Sequence, residues 1–211
     1  MTTQGQEEEG IAQMRQGVTA VQAIGLPGMV RPYYRAVLAE AHLKIGQAEA
    51  GLGALVEVFA EVPPDGKFWF EPELYRIKGE LTLKSKVKTS PRQVKASQNK
   101  SEDRSPESEA EECFWKAIDI ARQQQAKSLE LRAVMGLSRL WQQQGKTEEA
   151  RKLLSEIYGW FTEGFDTADL KEAKALLEEL EEQPHVTRRE KRKGGKKRPA
   201  RKIKPSVRTL E

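Results

Sequence analysis

The stretch that decides the fold is "LWQQQGKTEEA", residues 140–150, in which a run of glutamines ends at a single glycine, Gly145. Apolar or small side chains recur at i, i+3, i+4 and i+7 on both sides of that glycine, the spacing of amphipathic helices. These positions are Val134, Leu137, Ser138 and Trp141 before the glycine, and Ala150, Leu153, Leu154, Ile157 and Phe161 after it. Glycine often supplies the left-handed residue that ends a helix. The stretch therefore predicts two helices that meet at Gly145.

The same layout occurs twice more along the chain. In "YYRAVLAEAHLKIGQAEAGLGALVEVFAEVP", residues 33–63, placing Gly46 on Gly145 aligns His42 with Trp141. A third copy is divided between "FEPELYRIKGELTL" (residues 70–83) and "SEAEECFWKAIDIARQ" (residues 108–123). The sequence thus predicts a repeated pair of helices with a unit of about 40 residues.

Three segments lack this periodicity. The segment of about residues 84–107 is rich in Ser and Lys and is predicted to be a disordered loop. Residues 1–6 are predicted to be a disordered N-terminus, and residues 183–211 a disordered basic tail. Helical repeats are therefore expected over residues 7–182, and the last helix is expected to be capped by Asp166 or Thr167.

The spacing of Ala110, Phe114 and Ala117 resembles that of the tetratricopeptide repeat (TPR). Gly46, Gly79 and Gly145 also fall where that repeat favours glycine, whereas no copy has its full Trp–Leu–Gly–Tyr first helix. The resemblance implies an all-α fold, a TPR-like α-solenoid of antiparallel helix pairs.

Four longer stretches resemble the C-terminal helical-repeat region of bacterial signalling proteins in which a class III adenylate/guanylate cyclase precedes an ATPase. They are "RPYY…LAEAHLKIGQAEAGL", "FWFEPELYRIKGELTL", "ARQQQAKSLELRA" and "IYGWFTEGFDTADLKEAKALLEEL". This resemblance implies a sensor or regulatory region and brings no activity, because the metal-binding aspartates of the cyclase and the phosphate loop of the ATPase have no counterparts in the chain.

In TPR proteins the first helix of each pair lines a concave groove. Carried over by position, the resemblance implies a groove of Glu40, Lys44, Arg76, Glu80, Lys84, Arg132, Arg139 and Gln143. Cations outnumber carboxylates in this set, so the expected partner is a protein that offers an acidic segment.

No cofactor, metal or catalytic site is predicted. The histidines, His42 and His185, are far apart in the chain, and Cys113 has no histidine near it in the repeat pattern, so packing roles are favoured for His42 and Cys113. With one cysteine no intramolecular disulfide can form, which favours a reduced, cytoplasmic setting. No apolar run is long enough to predict a membrane span, and the N-terminus has no signal-peptide pattern.

The chain carries a net charge of +4, and its basic residues are concentrated at the C-terminus. Residues 185–211 contain 12 Lys and Arg and 2 Glu. Candidate polyanion contacts are Arg188, Arg189, Lys191, Arg192, Lys193, Lys196, Lys197 and Arg198. An alternative function is therefore non-specific nucleic-acid binding through this tail.

A further alternative is that the chain is a truncated piece of a larger regulator. The pattern begins on what resembles a second helix, with the stripe Ile11, Met14, Val18 and Val21 and no earlier helix to cover it. Such a stripe predicts self-association or an additional upstream domain.

Overall fold

The computed structural model describes residues 2–24, 30–62, 68–86 and 105–182. Within these ranges the chain is all-α, with eight helices and no strand. The helices are α1 (Thr2–Ile24), α2 (Val30–Lys44), α3 (Ala48–Glu61), α4 (Glu71–Lys86), α5 (Pro106–Gln123), α6 (Lys127–Gln143), α7 (Thr147–Tyr158) and α8 (Ala168–Glu182). The tail and residues 87–104 lie outside the described ranges, so the disorder predicted for them stays a prediction.

At two predicted boundaries the described helices extend further than the sequence suggested. Residues 2–6 belong to α1, which continues without a break into the three glutamates at positions 7–9, good helix formers. On the two sides of the predicted loop, α4 continues to Lys86, and α5 begins at Pro106, directly after Ser105. The Ser105 hydroxyl accepts a hydrogen bond from the Ser108 backbone N–H at 3.2 Å, which caps the helix, and proline suits its first turn.

The corner predicted at Gly145 is confirmed, and it recurs at two other positions. Gly145 and Gly46 have φ of 77° and 72°, and Gln125 between α5 and α6 has φ of 55°. In each corner the N–H of the next residue donates to the carbonyl five residues earlier at 2.9 Å. This bond and the left-handed residue form the Schellman motif. Gln125 therefore occupies the position that glycine occupies in the other two corners.

Each helix packs against the next one along the chain, and the even-numbered helices also pack against each other. Within the described ranges α2 contacts α4, α4 contacts α6 and α6 contacts α8, whereas no two odd-numbered helices pack together. The even-numbered helices therefore form one continuous side of the molecule.

The buried apolar side chains form two clusters, one within α2–α4 and the segment before α4, the other within α5–α8. Phe114 is fully buried in the second cluster. Its ring faces Gly79 of α4 and Gly136 of α6, where a built Cβ would come within 3.0 Å and 2.6 Å of the ring. Because glycine has no side chain, α4 and α6 can both approach the Phe114 ring of α5 closely.

Candidate functional site

A cleft of about 380 Å³ lies along the side formed by the even-numbered helices. It is lined by every predicted groove residue except Gln143, which is the last residue of α6. The lining also includes three carboxylates that the sequence did not point out, Glu73, Asp169 and Glu172, and two apolar side chains, Leu43 and Met135. This set is called the charged cleft below.

The expected basic excess is wrong for the charged cleft. Five cations face five carboxylates, because Glu73, Asp169 and Glu172 join Glu40 and Glu80. Glu73 and Asp169 lie in the first turns of α4 and α8, respectively. The cations that line the cleft were predicted from their positions on the first helix of each pair. The three added carboxylates could not be predicted in this way, because their place in the cleft depends on how the helices pack.

The charges in the cleft are joined across the helices by ion pairs. Arg76 of α4 contacts Glu73 at 2.6 Å, Glu80 at 2.5 Å and Glu40 of α2 at 3.7 Å. Arg132 of α6 continues the chain, contacting Glu73 at 3.4 Å and Asp169 of α8 at 2.8 Å. One network therefore runs through all four even-numbered helices.

These pairs keep the arginines charged. Burial by itself would lower the pKa of Arg76, but Glu73, Glu80 and Glu40 more than offset it and hold the pKa above its ordinary value. The pKa of Arg132 is also raised, since Asp169 and Glu73 outweigh its burial and the nearby Arg76. Neither side chain can exchange protons near neutral pH.

The more exposed cations lie at the other end of the cleft. The Lys84 ammonium donates a hydrogen bond to the Leu43 carbonyl at 3.3 Å, which brings it to the C-terminal end of α2 beside Lys44. The Lys44 side chain is 73% exposed and contacts Glu40 at 3.4 Å. A surface ion pair of this kind is weak, so Lys44 can exchange its partner at little cost.

A wider cleft of about 470 Å³ lies between α1, α2 and α3. His42 lines it and is 1% exposed. Its Nδ1 lies 2.9 Å from Gln47 Oε1, and its Nε2 lies 3.3 Å from a guanidinium nitrogen of Arg15. His42 is thus buried, as its predicted packing role requires, and its hydrogen bond with Arg15 joins α1 to α2.

The remaining candidate residues are Cys113 and the basic residues of the tail. Cys113 is buried, and burial raises the pKa of its thiol, which disfavours the reactive thiolate. Within the described ranges no cluster of side chains suited to a metal ion occurs, and no helix could cross a membrane. The tail residues proposed to contact polyanions, Arg188 to Arg198, lie outside the described ranges.

No family model, curated protein or solved structure matches the chain. The resemblance to tetratricopeptide repeats and to bacterial cyclase–ATPase regulators therefore depends on the residue patterns alone.

Proposed function

We propose that the chain is a non-catalytic protein-interaction scaffold, a TPR-like array whose charged cleft receives an extended segment of a protein partner. The observation that supports this most directly is the convergence of charged residues from four helices on one cleft. An extended segment can contact all four helices because they lie side by side. The stretches quoted above relate this scaffold to the regulatory helical repeats of bacterial ATPase/cyclase signalling proteins.

The charge distribution suggests which part of a partner binds where. Arg76, Arg132 and Arg139 are paired with carboxylates of the chain and are less exposed than the two lysines. The cations most open to a new partner are therefore Lys44 and Lys84 at the end of α2. We therefore expect acidic side chains of the partner to lie at that end of the cleft. Electrostatic complementarity of this kind sets orientation and association rate more than affinity.

The test uses the full chain and short labelled peptides of acidic, basic and neutral composition, with binding followed by fluorescence anisotropy. The double variant Lys44→Glu/Lys84→Glu is expected to weaken binding of the acidic peptide by roughly tenfold or more. The matched control is the double variant Lys116→Glu/Lys152→Glu, at two exposed lysines on α5 and α7 that do not line the cleft. It should leave binding unchanged, although it alters the net charge in the same direction.

Equal loss in the control and in Lys44→Glu/Lys84→Glu would assign the binding to overall charge and reject the cleft. Removal of residues 185–211 provides a second control, because acidic peptides can also bind the basic tail. Binding of the acidic peptide to the cleft should survive that deletion, whereas binding of nucleic acid through the tail should be lost. In the full chain, binding of nucleic acid through the tail should weaken as salt is added.

A further inference from the structure

The centre of the charged cleft contains a buried ion pair that is only partly satisfied. Glu73 is 1% exposed and Arg76 is 9% exposed, and both line the cleft. Glu73 Oε1 accepts a hydrogen bond from the terminal Nη2 of Arg76 at 2.6 Å. Glu73 Oε2 and Arg76 Nε have no hydrogen-bond partner among the described residues. Buried polar atoms without partners are uncommon, because leaving them unpaired costs free energy.

The two unpaired atoms are complementary in type and belong to two side chains in contact. Oε2 accepts hydrogen bonds, whereas Nε–H donates one. They belong to the same carboxylate and the same guanidinium that are joined at 2.6 Å. One small group that carries both a donor and an acceptor could therefore satisfy both atoms at once.

The charges of the pair select against ionic ligands. A carboxylate could accept from Arg76 Nε but would be repelled by Glu73, and an ammonium could donate to Glu73 but would be repelled by Arg76. Since the pair itself is neutral and buried, an uncharged ligand group avoids both penalties. An amide meets these conditions, because it is uncharged and carries an N–H donor and a carbonyl acceptor.

We propose that the Glu73–Arg76 pair is an amide-recognition site, at which an amide N–H of the bound segment donates to Glu73 Oε2 and an amide carbonyl accepts from Arg76 Nε. The amide is either the side-chain carboxamide of an Asn or Gln or the N–H and carbonyl of one extended backbone residue. This rests on the proposed function for the identity of the partner, but the chemistry of the site can be tested without one.

Arg132 also contacts the pair. Its Nη1 contacts Glu73 Oε1 at 3.4 Å, a long contact, and its side chain is 39% exposed. Its Nε is held by Asp169 at 2.8 Å on the outer side of the cleft. The proposal requires the Arg132 guanidinium to turn about that anchor, because Glu73 Oε2 and Arg76 Nε are themselves buried.

The experiment follows the Nε–H resonance of Arg76 by NMR in the nitrogen-15-labelled full chain, identified by its loss in Arg76→Lys. The probes are acetamide, N-acetylglycine-N′-methylamide, acetate and methylguanidinium, titrated to roughly 0.5 M because ligands of so few atoms bind weakly. We expect a saturable downfield shift with one or both amides and none with the ions. Acetamide alone indicates side-chain carboxamides, and the glycine derivative alone indicates extended backbone.

Glu73→Gln is the decisive variant, since it retains the size of the side chain but places an amide in the position of the carboxylate. It should weaken the binding of the preferred amide at least tenfold, with helicity retained by circular dichroism. Glu80→Gln is the matched control on the same helix. It removes the same charge next to Arg76 but leaves Glu73 Oε2 in place, so amide binding should persist.

Two outcomes would overturn the proposal. If acetate shifts the resonance as strongly as the amides, the site recognises anions. If no probe shifts the resonance, Glu73 Oε2 and Arg76 Nε find their hydrogen bonds without a ligand. They then bind a water molecule, or they bond to each other in a bidentate ion pair.

The two proposals fail separately. Amide binding without any peptide binding would reject the scaffold function and leave the site intact. Peptide binding that depends on Lys44 and Lys84 but is unchanged in Glu73→Gln would reject the amide site alone.

Discussion

Of the three corners at Gly46, Gln125 and Gly145, the one at Gln125 has a residue other than glycine in the left-handed conformation. Its φ of 55° lies in the left-handed region, where a side chain is disfavoured. Gly46 and Gly145 form the equivalent corners without that penalty. Across this corner Arg122 of α5 contacts the buried Glu130 of α6 at 2.7 Å, and Lys127 of α6 contacts the same carboxylate at 2.7 Å.

Exchanging the residue types at these corners should change stability in opposite directions. Gly145→Ala should lower the free energy of unfolding by about 1 kcal/mol, because alanine is strained in the left-handed conformation. Gln125→Gly should raise it by up to about 1 kcal/mol for the same reason. Urea unfolding followed by circular dichroism measures both changes.

Gly53→Ala is the control for the alanine substitution. Gly53 lies inside α3, and a Cβ built there has no neighbour within 4 Å. Alanine should therefore stabilise the helix by roughly 0.5–1 kcal/mol. A stabilising effect of the same size at Gly145 would contradict the left-handed corner.

Phe114 packs closely against two glycines, and the approach to Gly136 is the closer of the two. Gly136→Ala should destabilise the protein by roughly 1–3 kcal/mol, because the new Cβ would come within 2.6 Å of the ring. Phe114→Leu in the same chain should recover part of that loss by vacating the space. If the two changes are strictly additive in urea unfolding, they do not share this contact.

At the level of whole helices, α1 packs only on α2 within the described ranges, and His42 joins the two. Of the predicted apolar stripe on α1, Ile11 is buried at 7% exposure, whereas Met14 is 43% exposed. The stripe is therefore covered in part by α2. Whether its exposed part mediates self-association stays a prediction.

The joint between α1 and α2 should respond to pH. Burial lowers the pKa of His42, and Arg15 lowers it further against the opposing hydrogen bond with Gln47. The folded pKa is thus below the value of about 6.5 in the unfolded chain. The unfolded state binds more protons as the pH falls through this range, so stability should decrease from about pH 7.5 toward pH 5.5.

Thermal unfolding across that pH range, with and without His42→Gln, measures this effect. The variant should lose this part of the pH dependence, because no titrating group remains at the joint. His185→Gln is the control, since it removes the other histidine. An unchanged pH profile in His42→Gln would show that the histidine does not respond to protonation as described.

For the molecule as a whole, the ion pairs of the charged cleft serve the fold as well as binding. Arg76 is surrounded by three carboxylates, and its loss would leave Glu73 buried without its main partner. Arg76→Met should therefore cost about 3–5 kcal/mol in the free energy of unfolding. Arg132 belongs to the same network, so reversing its charge would test the fold together with any binding.

The double variant Glu73→Met/Arg76→Met should recover most of that loss, because replacing a whole buried pair by apolar groups is often neutral. Arg151→Met provides the comparison, since the pair of Arg151 with Glu148 lies on the surface. Its cost should stay below about 1 kcal/mol. Equal costs for the two single variants would mean that the cleft network is no stronger than a surface pair.

The sequence by itself determined the features that depend on neighbouring residues. The helical stripes and the corners at Gly46 and Gly145 follow from local periodicity and from backbone conformations open to glycine. The resemblance to tetratricopeptide repeats, carried over by position, placed Arg76 and Arg132 among the residues of one groove, and both line the charged cleft. Helix spacing is local, so these features can be read from one stretch at a time.

Only the tertiary structure decided the charge of that cleft and the state of its centre. Glu73 pairs with Arg132, 59 positions later, and Asp169 with Arg132, 37 positions earlier. No spacing within a helix reports such pairs, because they depend on how far apart α4, α6 and α8 lie. Packing likewise buries Glu73 and leaves one of its oxygens without a partner, since burial arises from the neighbouring helices and not from the residue itself.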